Sequence, residues 1–149
     1  MNNPAPAPSL IPYGLPIDLE TAKRVAAAAG KEADGNGWPV VIAIVDSGAN
    51  LVLLHRHDLA QLGSIAIAQG KAMTAVKMKR ATKLLDEAVS GGGAGLRVLA
   101  LDGIVAMEGG VPLLRDGAVI GAIGVSGVTS PQDGLIAAAG AKALTHPEV

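Results

Sequence analysis

The sequence predicts an α+β domain, an antiparallel sheet with helices packed on it. Two hairpin signals sit among helical segments: a turn at Asp46–Asn50 and an Asp-Gly step in Arg115-Asp116-Gly117. No strand is followed by the glycine pattern of a dinucleotide fold, and there is no P-loop.

Residues 1–16 form a flexible, Pro-rich arm (Pro4, Pro6, Pro8, Pro12, Pro16), extended enough to reach a neighbour, and 17–149 a single domain. Asp18 caps a helix over Leu19–Asp34, with Leu19, Ala22, Val25, Ala26 and Ala29 on one stripe, and Gly35-Asn36-Gly37 ends it. Val40–Val45 is a strand covered on both sides, and Leu51–His57 returns beside it. Asp58 caps a long helix over Leu59–Lys79, with Ile65, Ala68, Ala72, Ala75 and Val76 inward and Gln69, Lys71, Lys77 and Lys79 outward. Thr82 caps a short helix to Val89, and Ser90–Gly95 is a hinge or a ligand-facing loop.

Leu96–Met107 has no assignable pattern, and Glu108-Gly109-Gly110 is a turn. Val111–Leu114 and Ala118–Ser126 make the second hairpin. In its second strand Val119, Ile123 and Val125 share a face with Gly121, while Ile120 and Ala122 share the other with Gly124. Ser130, Pro131 and Asp133 then open a closing helix that runs to about Leu144.

Composition narrows the function. The chain is 50% hydrophobic but only 1% aromatic, so the core is aliphatic. Twelve basic residues against 13 acidic ones give a net charge of -1 with no basic block, which argues against nucleic acid as a partner. The 17% charged content and a mean hydropathy of +0.42 indicate apolar surface hidden against other subunits, hence a homo-oligomer. Without cysteine there is no disulfide, thiolate metal site or cysteine nucleophile. No long apolar run or basic leader marks a membrane span or an export signal, so a cytoplasmic location is expected.

The segment His55-Arg56-His57-Asp58 holds the candidate site. On a strand, His55 and His57 share a face and Arg56 takes the other. A metal would need a third ligand from Asp58 or Glu108, and no metal is expected. Arg56 suits a carboxylate, His57 a proton transfer, and Asp58 a water or the imidazole. A structural Arg56–Asp58 pair at the corner is the alternative. Lys71 is a solvated helix position or, less simply, a buried amine. Glu108 could serve as an acid or base, or be a solvated turn carboxylate. Gly109 and Gly110 could offer N–H groups to an anion, as could the helix start beside Ser126.

Several stretches also resemble a known family. They are Val45-Asp46-Ser47-Gly48 with Leu51; Arg56-His57-Asp58-Leu59-Ala60 with Ser64; Lys71-Ala72-Met73-Thr74-Ala75; Gly109-Gly110-Val111-Pro112-Leu113 with Asp116-Gly117; Ile120-Gly121-Ala122-Ile123-Gly124-Val125-Ser126-Gly127; and Gln132-Asp133. Together they span roughly residues 18–144 and resemble the haem-degrading or haem-binding-like domain family (GlcG/HbpS-like). The resemblance implies a profilin-like antiparallel sheet flanked by helices, assembly into a homo-tetramer or homo-octamer, and haem as a cofactor or ligand in some members. His57 stands where that family usually has an apolar residue.

The first functional expectation is therefore a haem- or small-ligand-binding protein. The second is a cytosolic enzyme on a small carboxylated metabolite, a tautomerase or an enamine/imine hydrolase-deaminase. It would use Arg56 for the carboxylate, His57 for the proton and Glu108 as partner. The third is a structural or partner-binding oligomer.

Overall fold

The computed structural model describes residues 7–145. Four strands form one antiparallel sheet in the order β2-β1-β4-β3: β1 is Val41–Asp46, β2 Leu51–Arg56, β3 Gly110–Arg115 and β4 Ala118–Ser126. Helices α1 (Leu19–Asn36) and α4 (Ser130–Thr145) cover one face. Helix α2 (Gly63–Met78) covers the other and leads into α3 (Thr82–Ser90). The sequence-predicted α+β class is therefore the observed one.

The central strands explain the layering. β1 and β4 are buried almost throughout, because their aliphatic residues face helices on both sides. Val40, Ile42, Ile44, Ile123 and Val125 pack with Val25, Ala29 and Ile136. Val45, Val119 and Ala122 pack with Ala72, Ala75 and Val76 of α2. β4 does not keep simple alternation. Leu113 pairs with Gly121 and Leu114 with Val119, so Ile120 is an extra residue that switches the strand's faces. The expected grouping of Val119 with Ile123 and Val125 fails for that reason: Val119 joins Ala122, and Ile120 joins Ile123.

Local chemistry settles most boundaries. Asp18 accepts the Thr21 N–H at 2.7 Å, a bond that holds its carboxyl below the ordinary range. Gly37, left-handed at φ 70°, ends α1 two residues past the expected Asp34. Asp116 and Gly117, at φ 52° and 77°, form the tight hairpin turn that Asp-Gly favours.

Three predicted caps are wrong. Asp58 does not start α2, which begins at Gly63 after an irregular Asp58–Leu62 stretch. The Thr82 hydroxyl instead accepts the Gly110 N–H at 2.8 Å. Thr129 and Gln132, not Ser130 and Asp133, exchange the capping bonds of α4, which frees Asp133 to point inward. The unassigned Leu96–Met107 run shares a 3-10 segment, Gly93–Ala100, and then packs Val105 over Gly70.

The end of the N-terminal arm is tied down. Gly14 N–H and Val119 O, and Val119 N–H and Pro12 O, bond at 2.8 and 2.9 Å, where β4 extends past the end of β1. The Tyr13 hydroxyl donates to Val76 O at 2.9 Å. Pro12–Gly14 is thus bonded to the domain; the arm's first six residues lie outside the described residues.

Helix α2 packs tightly on β4. A β-carbon on Gly124 would sit 2.0 Å from Ala68 O and 2.5 Å from Ala72 N, whereas one on Gly30 in α1 would meet nothing within 4 Å. The same substitution should therefore act with opposite sign at the two positions. Gly124→Ala should cost at least about 2 kcal/mol by overpacking, and Gly30→Ala should gain about 0.5–1 kcal/mol. Urea unfolding of both variants checks this; a Gly124→Ala protein as stable as wild type would contradict the packing.

Candidate functional site

At the end of β2 the chain forms an open groove of about 610 Å³, lined by Asp34, Gly37, Trp38, Pro39, Arg56, His57, Asp58 and Leu59. Arg56 pairs with Val41 and is exposed. Among the described residues neither Arg56 nor Asp58 has an ion-pair partner, so the expected corner pair does not form. The guanidinium is left available to a carboxylate. Trp38, Pro39 and Leu59 supply apolar walls, and Leu59 is 86% exposed.

His57 is held at both ends of its residue. Its backbone N–H donates to Val40 O at 3.0 Å, and its Nδ1 accepts the Val40 N–H at 3.2 Å. Nε2 lies 3.8 Å from Asp34 Oδ1. An imidazole that binds a metal through one nitrogen normally donates an N–H from the other. A metal on Nε2 would set that N–H against the Val40 N–H, so His57 does not fit an axial iron ligand while this bond stands.

His55 does not share the groove. It pairs with Ile42, whose face belongs to the α1–α4 core, while Arg56 pairs with Val41 on the α2 face. β2 ends at Arg56, so the expected pairing of His55 with His57 along one strand is lost. No three described His, Asp or Glu side chains converge on a metal position.

The remaining candidates gather elsewhere. Lys71, expected at the surface, is 1% exposed: its Nζ donates to Asp133 Oδ2 at 2.8 Å and Val125 O at 3.0 Å. Asp133 Oδ1 also accepts the Val128 N–H at 3.1 Å. Burial pushes the Asp133 carboxyl up, and the Lys71 ammonium and the Val128 N–H only partly offset it. Gly109 lies against the ammonium, where a β-carbon would be 2.9 Å from Nζ. The Gly110 N–H is taken by Thr82, so the expected anion nest has lost a donor.

Ser126 is buried and donates to Ser64 Oγ at 3.1 Å. Glu108 packs its side chain against Gly134 and donates its N–H to Asp86 Oδ2 at 3.0 Å. It precedes β3, at the opposite sheet edge from the residues that follow β2. The proposed His57–Glu108 partnership is therefore not assembled.

The groove brings together Arg56, His57 and Asp58, which the sequence singles out, with Leu59, Asp34 near the end of α1, and Trp38 and Pro39 from the α1–β1 connection, which it does not. The signal was present: the only Trp of the chain stands beside a Pro just before a strand. The spacing of Asp133 from Ser130 fits a cap, so the sequence alone does not show its inward role.

Comparison with known proteins gives concordant results. The family model described as haem degrading protein HbpS-like matches residues 17–142. Protein GlcG of Escherichia coli K12 is 40% identical over 110 residues, 74% of this chain and 81% of that protein. The crystal structure of Klebsiella pneumoniae protein ORFY superposes with a TM-score of 0.83 at 33% identity, over 99% of both chains. A crystal structure titled as a PduOC:heme complex gives 0.78 at 34% identity, over 87% of this chain and 95% of that one.

The buried pair has a clear signature. Asp133 stabilises the fold in full below its ordinary value of 3.8, and that contribution is lost as pH rises through its raised value. Lys71→Met removes the offsetting cation, so it should cost about 3–5 kcal/mol near neutral pH and less in acid, where the carboxyl is protonated. Lys71→Met/Asp133→Asn should recover most of that loss, since Asn still accepts the Val128 N–H. Urea titrations at several pH values measure both effects; a double variant no more stable than Lys71→Met would contradict the pairing.

Proposed function

The chain belongs to the HbpS-like haem degrading family, and we propose that it is a ligand-binding member that takes a flat, largely apolar, carboxylated molecule in the Arg56 groove. Haem is the foremost ligand of that kind. The observation that carries the reading is a guanidinium with no ion-pair partner among the described residues, set beside apolar walls from half-buried Trp38 and Pro39 and exposed Leu59. A porphyrin has the same division, an apolar plate with acidic groups at its rim. The groove's volume falls in the range usual for small-molecule sites.

In this reading Arg56 holds a carboxylate and Trp38 packs on the plate. His57 orders the wall through Val40 rather than ligating iron. Assembly into a homo-oligomer, a tetramer or octamer, belongs to the same proposal and is supported by the low charged content. A cytoplasmic location is supported by the absence of cysteine. Among the described residues no helix is long and apolar enough to cross a membrane.

Haemin titration tests the proposal. A saturable Soret change is expected for wild type, with affinity about tenfold or more weaker in Arg56→Ala, as the loss of a charged hydrogen bond implies. His57→Ala should keep the wild-type Soret position. Absence of saturable binding, or equal affinity in Arg56→Ala, would sink the proposal. A Soret shift lost only in His57→Ala would make that residue the iron ligand and overturn its assigned role.

A further inference from the structure

Among the described residues, β2 has β1 on one side and no strand on the other. A sheet edge presents a row of backbone donors and acceptors, usually guarded by Pro, charge, a bulge or a covering element. The opposite edge is so guarded. β3 contains Pro112, and α3 holds its first residue through the Thr82–Gly110 bond.

β2 is much less protected. Leu51-Val52-Leu53-Leu54-His55-Arg56 has neither Pro nor Lys nor an acidic residue, and its one irregularity is the bulge at Val52. His57 N–H bonds inward to Val40 O, so strand alternation turns the N–H and C=O of Leu54 and Arg56 away from β1. Large apolar side chains extend this margin at both ends: Leu51 is 51% exposed, and beyond Arg56 Leu59 is 86% and Leu62 74% exposed.

We infer that a second copy of this chain covers the edge, pairing β2 with β2 antiparallel about a two-fold axis. The charge pattern favours this occupant. Arg56 is the only fixed charge on β2 and lies at its end, so antiparallel pairing separates the two guanidinium groups along the strand by about 17 Å. Parallel addition would set them side by side. An antiparallel edge is also its own complement, which an isologous interface requires. One sheet then runs through both copies, and the apolar residues Leu59 and Leu62 meet the seam. The open side of the Arg56 groove is walled by the partner, so the site is complete only in the pair.

Light scattering after size exclusion, together with backbone hydrogen exchange, tests the inference. Wild type should have the mass of a dimer or a multiple of it. Leu51→Lys/Leu62→Glu should have half that mass with an unchanged far-UV spectrum. The Leu54 and Arg56 amides should exchange at least tenfold faster in the variant. A monomeric wild type would overturn the inference. So would an unchanged mass in the edge variant, or a halved mass in Leu99→Glu instead, which would move the interface to the 3-10 segment.

If the edge variant does not fold, dilution of wild type decides. Exchange at Leu54 and Arg56 that is slow at high concentration and fast at low supports the pairing; fast exchange throughout overturns it. Haemin titration reports separately on the ligand reading, because a wild type that pairs but ignores haemin removes only that reading.

Discussion

The buried bond between Lys71 and Asp133 is the interaction on which the surrounding architecture depends. α2 lies on one face of the sheet and α4 on the other, and this ion pair joins them past the end of β4. A buried ammonium must find acceptors, and the Asp133 carboxylate and the Val125 carbonyl meet that need. The cost is spread through the sequence. Gly109 has no side chain because the ammonium occupies its place, and it adopts a φ of 133°. Gly134 is bare because Glu108 packs there. Resemblance to the family was carried partly by these residues, and the structure gives them a packing role rather than a place in the groove.

The groove is built by a different device. Val40 gives both its polar groups to His57, N–H to Nδ1 and C=O to N–H, which clamps the end of β2 against the start of β1. The clamp leaves Arg56 on one side and Trp38 and Pro39 on the other. Histidine at this position thus serves as an acceptor on a fixed frame. That is a structural reason for a histidine to stand at this corner.

The fold was largely legible because its signals are local. Asp18 as a cap, Gly37 as a terminator, Asp116-Gly117 as a turn and two-sided aliphatic strands each state their role within a few residues. Several of the errors share a cause, which is competition from distant partners. Thr82 and Asp133 have cap-like spacing but are taken by Gly110 and Lys71. Lys71 is polar by type, yet its long stem lies in the core because a carboxylate waits 62 residues away. The bulge at Ile120 reversed the faces of β4, which alternation alone cannot foresee. For the site, Arg56, His57 and Asp58 were legible as adjacent polar residues at a strand end. Trp38 and Asp34 were not, since they reach the groove only through pairing of β1 with β2.

Backbone hydrogen exchange of the full protein with and without haemin tests the central claim most directly, since it maps where a ligand sits. Haemin should slow exchange in segments 34–40 and 54–60, the two walls of the groove. Protection confined to segments 108–110 and 126–134, around the Lys71–Asp133 pair, with none at the groove, would contradict it.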